Sequence, residues 1–266
     1  MMKRFAVGIL VLAAVGAAGL LSTERHLKAQ GSGPPRPILI ELFTSEGCSS
    51  CPPADALLEK LDRSQPIAGA ELIVLSEHVD YWNHIGWTDP YSSSFYSERQ
   101  NSYAQRFGRD TVYTPQMVVD GNSEFVGSDA RSADRALLRA LKTPKIEVRL
   151  SAIAVEGARD LKAHVETEVL PVSYGLGEGE IYLAIALGHA ESRVSGGENS
   201  GRRLSHVGVV RGLVKIGVLR PGQSFTKDVQ MKLEPGVSPQ NVRLVAFLQE
   251  PAAGRVVGAT MQSVAK

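Results

Sequence analysis

Apolar positions in the first half of the chain follow two periods. Residues 38–43 and 71–76 are short, nearly continuous apolar runs, which are typical of strands covered on both faces. Residues 54–61 lie between them and carry leucines at helical spacing, at Leu57, Leu58 and Leu61. The pattern therefore predicts two buried strands joined by a helix.

The next segments continue this alternation. An Asp-Pro pair at residues 89–90 predicts the start of a helix that runs to Phe107. Residues 116–120 and 123–126 flank a Gly-Asn pair, which predicts an antiparallel hairpin. Residues 129–141 are a further amphipathic helix. Together these elements predict one compact α/β domain over residues 38–143.

After Thr143-Pro144 the helical period gives way to strand-like alternation. Turn dipeptides such as Pro221-Gly222 separate the apolar runs. Short strands with one solvent-exposed face predict an all-β, immunoglobulin-like sandwich domain over residues 145–266. The runs are residues 145–155, 161–169, 180–188, 204–216, 224–233, 241–249 and 255–264.

The first thirty residues have the layout of a targeting segment. Lys3 and Arg4 precede an uncharged apolar run over residues 5–21. This is the pattern of a signal peptide, or of an N-terminal membrane anchor if residues 1–30 are not cleaved. Residues 31–37 are a Gly- and Pro-rich linker. We therefore predict a periplasmic or secreted protein.

Composition narrows the function classes. Of the 266 residues, 43% are hydrophobic and 21% charged, which argues against disorder, a coiled coil or a polytopic membrane protein. The formal net charge of +1 provides no basic field for nucleic acid. With only two cysteines, a four-cysteine zinc module is excluded.

The two cysteines, Cys48 and Cys51, lie between the first predicted strand and the first predicted helix. Pro52 and Pro53 are tolerated only where backbone N–H groups lack an intrahelical acceptor, so the helix is predicted to begin close to Cys48. Amide groups at that end stabilise a thiolate. Cys48 is therefore the candidate attacking sulfur, and Cys51 the less exposed sulfur that resolves a mixed disulfide.

Two other interpretations of the pair stay open. It could be a disulfide that only holds a turn, although a disulfide that closes so small a loop stabilises the folded protein little through chain entropy. It could also be half of a metal site. His78 and His84 then suggest a copper carrier. Copper-delivery proteins with a similar cysteine pair, however, have a CxxxC spacing, whereas the spacing here is CxxC.

The segments ELFTSEGCSSCPPAD and YTPQMVVDG resemble the thioredoxin superfamily, in which a cis-proline precedes the third strand and faces the cysteine pair. The resemblance places Pro115 at that position and implies that Thr114 offers its backbone to bound peptide. With SEHVDYWNHIGWTDP and GENSGRRLSHVGVVR, these segments look more narrowly like secreted thioredoxin-like proteins of domain-of-unknown-function family 1223.

The chain departs from ordinary thioredoxins at two positions. Gly47 replaces the aromatic residue usually found before the first cysteine. Leu42 occupies the register of the buried acid of the first strand, and Glu41 lies one residue off. Whether Glu41 serves as proton acceptor for Cys51, or is only an edge-facing acid, is open at this point.

Nine of the sixteen aromatic residues lie between Tyr81 and Tyr113. Tyr81, Trp82 and Trp87 follow the second strand, so they could form an apolar platform for a substrate polypeptide near Cys48, or be core residues of a structured loop. The glycine-rich residues 196–203 lack the following helix of a phosphate loop, and we expect a structured loop there.

These observations favour an exported thiol–disulfide oxidoreductase that acts through Cys48 and Cys51 without a cofactor. Its partners are then protein thiols or disulfides, or a redox partner. The alternative is a non-catalytic binding protein or copper carrier of thioredoxin-like fold in the cell envelope. A purely structural envelope protein with an inert disulfide is the third interpretation.

Overall fold

The computed structural model describes residues 33–157 and 159–264. The predicted targeting segment 1–30 lies outside these residues, so its role stays a prediction. None of the described helices is long and apolar enough to cross a membrane. The described elements are β1 (Arg36–Thr44), α1 (Pro52–Ser64), β2 (Ala70–His78), α2 (Ser94–Arg106), β3 (Gln116–Val119), β4 (Ser123–Val126), α3 (Ala130–Ala140), β5 (Val148–Glu156), β6 (Asp160–Thr167), β7 (Gly179–Arg193), β8 (Arg203–Leu219), β9 (Thr226–Lys232), β10 (Val242–Gln249) and β11 (Val256–Ser263).

The helix boundaries follow from local capping. Cys51 is the N-cap of α1, Pro52 and Pro53 occupy its first turn, and the left-handed Gln65 ends it. α2 begins at Ser94, capped by the Ser93 hydroxyl, which accepts a hydrogen bond from the amide of Phe95. The predicted start at the Asp-Pro pair of residues 89–90 is wrong. Asp89 begins only a turn, in which its carboxylate accepts from the amide of Tyr91 and its carbonyl accepts from the amide of Ser92.

Strands from both halves of the chain form one mixed sheet. Its eight strands lie in the order β11-β10-β7-β8-β2-β1-β3-β4. β1 and β2 are parallel, whereas β1 and β3, β7 and β8, and β10 and β11 are antiparallel. The predicted fold class, a thioredoxin-like α/β domain followed by a separate immunoglobulin-like sandwich, is therefore wrong.

The pairing of β2 with β8 explains the difference. β8 is 17 residues long, and its Val209 pairs in parallel with Ser76 of β2. Without this contact β2 would present an unpaired edge, which folded proteins avoid. Gly208 permits the approach, since its φ is +62° and a Cβ there would lie 2.4 Å from the carbonyl oxygen of Val74.

A second sheet covers part of the first. Its three strands lie in the order β5-β6-β9. Leu161 and Val165 of β6 are buried in one hydrophobic cluster with Ile181 and Leu183 of β7 and Leu244 of β10. The strands predicted after residue 143 are therefore present, but they are divided between two sheets.

Alternation along β1 separates two cores. Ile38, Ile40 and Leu42 pack in the cluster that includes Leu58 of α1 and Leu137 of α3. Leu39 is buried in a different cluster, with Tyr96 of α2. Because β1 and β2 are parallel, the segments after their carboxyl ends leave the sheet at the same edge, and the cysteines follow β1 there.

Candidate functional site

Cys48 and Cys51 form a disulfide, with their Cα atoms 5.4 Å apart. The two cysteines lie in a tight turn, in which the amide of Cys51 donates to the carbonyl of Cys48. Because α1 begins at Pro52, Cys51 caps the helix and Cys48 precedes it by one turn. The predicted disulfide is present. The residue at the helix start is Cys51, three positions after Cys48, which was predicted to lie there.

Both cysteines are completely buried, at 0% exposure. The expectation that Cys48 is the more exposed of the two is therefore wrong for the disulfide form. The two serines between them are exposed, and the Ser50 hydroxyl lies 3.4 Å from the Cys48 sulfur. In this state a substrate therefore reaches the serines of the turn but not its sulfurs.

Thr114 and Pro115 lie immediately before β3 and are joined by a cis peptide bond. The indole of Trp82 donates to the Thr114 hydroxyl at 2.8 Å. Trp82 also covers Gly47, where an added Cβ would lie 3.1 Å from the Trp82 Cβ. Trp82 thus lies between the cysteine turn and Thr114, and the glycine at position 47 leaves room for it.

The other two aromatic residues of the predicted platform differ in position. Trp87 donates to the carboxylate of Glu46 at 2.8 Å and so lies close to the cysteine turn. Tyr81 instead donates to Gln100 of α2 at 2.9 Å. All three aromatic side chains are half-buried, with their polar ends bonded inside the protein. Their role in substrate binding stays a prediction.

Five buried titratable side chains lie beside the cysteine turn, and we call them the buried polar cluster. Only His78 among them was a candidate site residue, in the copper hypothesis. The cluster consists of Glu46, Asp55, His78, Asp89 and His206. Glu46 precedes Cys48 by two residues, and the amide of Asp55 donates to the carbonyl of Cys51 in the first turn of α1. Both ends of the cysteine turn are therefore connected to this cluster.

His206 of β8 lies between two carboxylates. Its Nε2 is 3.5 Å from Oε1 of Glu46, and its Nδ1 is 3.6 Å from Oδ1 of Asp55. Burial lowers the pKa of His206, but Asp55 and Glu46 outweigh burial and raise it to about 10. His206 is therefore an imidazolium at neutral pH, supplied to the site by the second half of the chain.

Asp89 connects the cluster to the Glu46 backbone. Its Oδ2 accepts from the amide of Glu46 at 2.8 Å and lies 2.7 Å from Nδ1 of His78. Burial raises the pKa of Asp89, but the charge of His78 and the hydrogen bonds to the carboxylate outweigh burial and lower it. Asp89 therefore holds the segment before Cys48 in place as a carboxylate.

The histidines of the copper hypothesis do not meet at the cysteines. His78 is buried against Asp89, with its ring 4.7 Å from the ring of His206. His84 is exposed on the surface. Within residues 33–157 and 159–264, no group of three or more His, Cys, Asp or Glu side chains has the arrangement of a metal site.

Glu41 faces away from the cysteines. It accepts from Nε of Arg99 at 2.7 Å and from the hydroxyl of Tyr103, whereas Leu42 packs in the core beneath α1. Glu77 lies in the same group, 3.5 Å from Arg99. Burial, then the charge of Glu41, raises the pKa of Glu77 well above its usual value. Glu41 is therefore part of a polar group on the other face of the sheet, not a partner of Cys51.

The loop between β7 and β8 also reaches the cysteine turn. The side-chain amide of Asn199 donates to the carbonyls of Glu46 and Cys48, both at 2.9 Å, and Glu198 accepts from the amide of Ser49 at 3.0 Å. This loop falls within the predicted all-β domain, so its contact with the cysteine turn was not predicted. Spacing carries no signal for it, because Asn199 and Cys48 are 151 positions apart.

The chain belongs to the DUF1223 family, described as a protein of unknown function, whose model matches residues 39–249. The solved structure of protein AGR_C_4864 from Agrobacterium tumefaciens is similar, with 25% identity and a TM-score of 0.67 over 88% of this chain and 97% of that one. HBP35 of Porphyromonas gingivalis shares the fold at 16% identity, with a TM-score of 0.65 over 87% of this chain and 76% of that one. No curated protein matches the sequence.

Proposed function

We propose that this DUF1223 protein is a thiol–disulfide oxidoreductase that acts through Cys48 and Cys51. The observation that carries the proposal is the disulfide between the two cysteines of the chain, at the N-terminus of α1 and beside a buried polar cluster. The site lies beyond the carboxyl ends of two parallel strands, where sheets of this kind place their ligands. Protein thiols or disulfides are the substrates that this chemistry implies.

The proposed reaction consists of two exchange steps. In the dithiol form, the Cys48 thiolate attacks a substrate disulfide, so that a Cys48–substrate bond forms and one substrate sulfur leaves as a thiolate. Cys51 then loses its proton and attacks the Cys48 sulfur, which closes the disulfide and releases the second substrate thiolate. The protein loses two electrons, which reduce the substrate disulfide to two thiolates. It also loses the Cys51 proton to an acceptor inside the protein, and the released substrate thiolates take up protons from water. Starting from the disulfide form, the same steps run in reverse.

The buried polar cluster supports the second step. Asp55 follows Cys51 by four residues, a spacing that brings side chains in a helix to within about 5–6 Å between Cβ atoms. Cys51 is buried, so its proton needs an acceptor inside the protein. We assign this role to Asp55, with His206 beside it to stabilise the carboxylate. The Ser50 hydroxyl, 3.4 Å from the Cys48 sulfur, is placed to donate to a Cys48 thiolate.

Complete burial of both sulfurs favours a second candidate, a disulfide that serves stability alone. The two functions predict different consequences of reduction. Because the cysteines are separated by only three positions, chain entropy accounts for about 2 kcal/mol of stabilisation at most. A purely structural disulfide would resist reductant in the folded protein and show no exchange with other proteins.

Exchange with a protein disulfide tests the proposal. We expect the purified protein to catalyse reduction of insulin by dithiothreitol, and Cys48→Ser to abolish this activity. Cys51→Ser should accumulate a covalent complex with insulin that is visible on a non-reducing gel. Ser49→Ala is the matched control, because its side chain is exposed and its activity should be retained. Activity that survives in Cys48→Ser would refute the proposal, and a wild-type disulfide inert to reductant would favour the structural function.

We also propose that the protein acts outside the cytoplasm. The basic and then apolar sequence of residues 1–30 supports export, and a cysteine pair that cycles with disulfides suits an oxidising compartment. A fusion of the full chain to alkaline phosphatase should be active in intact cells. Activity that depends on residues 1–30 would support export, and a fusion without activity would contradict it.

A further inference from the structure

The connection between β7 and β8 lies over the cysteine turn. It comprises residues 194–202 and contains a single helical turn, Gly197–Asn199. The loop packs against the segment that follows β2, since a Cβ at Gly196 would lie 2.1 Å from the carbonyl oxygen of Gly86. The next residue, Trp87, bonds to Glu46, so both segments are fixed at the same edge of the site.

Asn199 is the buried contact of this loop, at 0% exposure. Its amide nitrogen donates to the carbonyls of Glu46 and Cys48, and its oxygen accepts from Arg202 at 2.8 Å. Both N–H donors of the Asn199 side chain are therefore used in hydrogen bonds to the backbone on either side of Gly47. Removing the donor would leave the Glu46 carbonyl without this partner, which costs about 1–3 kcal/mol for a buried group, and the Cys48 carbonyl would keep only the bond from the Cys51 amide.

Glu198 is the charged contact, and it lies on the surface. Its carboxylate accepts from the amide of Ser49, the residue after Cys48. The hydrogen bonds from Ser49 lower the pKa of Glu198, so the carboxylate is ionised at neutral pH. The Ser49 amide would also favour a thiolate at the neighbouring Cys48, and the negative charge of Glu198 beside it opposes that thiolate.

We propose that Asn199 and Glu198 are positioning residues for the cysteine pair: Asn199 closes the turn over the disulfide, and Glu198 disfavours the Cys48 thiolate. The first effect slows reduction of the disulfide, and the second shifts the equilibrium of the pair toward the disulfide form. The inference rests on the proposed function for its biological meaning. Its test, however, follows the disulfide itself with small thiols, so the inference and the proposed function can fail separately.

The charge effect is tested with Glu198→Gln, which keeps an oxygen acceptor for the Ser49 amide but removes the charge. We expect the equilibrium with glutathione to shift about two- to fivefold toward the dithiol, equivalent to about 10–20 mV. The shift should be smaller in 1 M salt, because the Debye length is then about 3 Å and the salt screens an exposed charge. Glu191→Gln is the control, an exposed glutamate paired with Arg203. Equal potentials for the two variants would overturn the role of Glu198.

The closing effect is tested with Asn199→Ala in the oxidised protein. We expect dithiothreitol to reduce its disulfide about tenfold faster than that of the wild type. Arg202→Ala is the second variant, since it removes the donor to Asn199 without touching the turn and should give a smaller increase. If Asn199→Ala does not fold, the rate at which dithiothreitol reduces Arg202→Ala tests the role of Asn199. Reduction of the folded variants at the wild-type rate would overturn the role of Asn199.

The outcomes separate the two ideas. If the Asn199 and Glu198 variants behave as expected but Cys48→Ser keeps the insulin activity, the inference stands and the proposed function falls. If wild-type exchange depends on Cys48 and none of the loop variants changes rate or potential, the function stands and the inference falls.

Discussion

His206 lies 3.6 Å from Asp55, so an imidazole of β8 contacts the first turn of the helix that Cys51 caps. The pair is buried, and Glu46 lies on the other side of the ring. A cation in this position keeps two buried carboxylates compensated beside a disulfide. The cost of burying those charges makes the cluster sensitive to the loss of any member.

The first prediction concerns His206. Its raised pKa means that its stabilising contribution is fully present below pH 6.5 and is lost as pH rises toward about 10. We expect His206→Gln to lower the free energy of unfolding by about 3–5 kcal/mol at pH 6, because two buried carboxylates lose their partner. The difference from wild type should shrink steadily between pH 6.5 and pH 10.

Guanidinium unfolding followed by tryptophan fluorescence measures this difference at each pH. His189→Gln is the control, because His189 is exposed and pairs only with the surface residue Glu191. A loss for His206→Gln that is the same at pH 6 and pH 10 would show that its charge does not matter.

The second prediction concerns Glu77, on the opposite face of the sheet. Its pKa is raised from 4.5, so the folded state holds its proton more tightly than the unfolded state does. Stability should therefore fall as pH rises above 4.5. Glu77→Gln cannot ionise and escapes this fall, so its stability relative to wild type should increase by more than about 1 kcal/mol between pH 4.5 and pH 8.

The same unfolding series checks the Glu77 prediction, with the exposed Glu98→Gln as control. A difference between Glu77→Gln and wild type that does not change with pH would mean that Glu77 is ionised in the folded protein throughout this range. Arg99 would then compensate both Glu41 and Glu77.

The third prediction concerns the junction between the two halves of the sheet. Gly208→Ala places a Cβ against the Val74 carbonyl at a positive φ, so we expect a loss of at least about 2 kcal/mol. Gly212→Ala on the same strand meets only Met231, at 3.5 Å, and should change stability by less than about 1 kcal/mol. Thermal unfolding distinguishes them, and equal losses would show that close approach to β2 is not what Gly208 provides.

The sequence predicted local structure better than assembly. The run at residues 38–43 lies within β1, and the hairpin around Gly121 and Asn122 is present as β3 and β4. These features depend on neighbours in sequence, so periodicity and turn chemistry reveal them. The pairing of Ser76 with Val209 joins distant strands, and nothing in either strand's pattern specifies that partner.

The same distinction applies to the site. The spacing of Cys48 and Cys51 made a disulfide one of several interpretations, and it is present. Two adjacent prolines located the start of α1 to within a few residues. The burial of Cys48 was missed, because Asn199 reaches it from the other half of the chain. His206 was not predicted as a site residue, since a lone histidine in a strand gives no sign that it faces Glu46 and Asp55.

The hydrogen bond from Asn199 to Glu46 joins residues 153 positions apart. During synthesis the cysteines are made long before the asparagine, and contacts of such high sequence separation form late in folding. The nascent polypeptide therefore carries an uncovered thiol pair, open to whatever oxidant it meets first. The loop that contains Asn199 covers the cysteines only after the later strands have joined the sheet. Until then, the Cys48–Cys51 disulfide can form or exchange without steric hindrance.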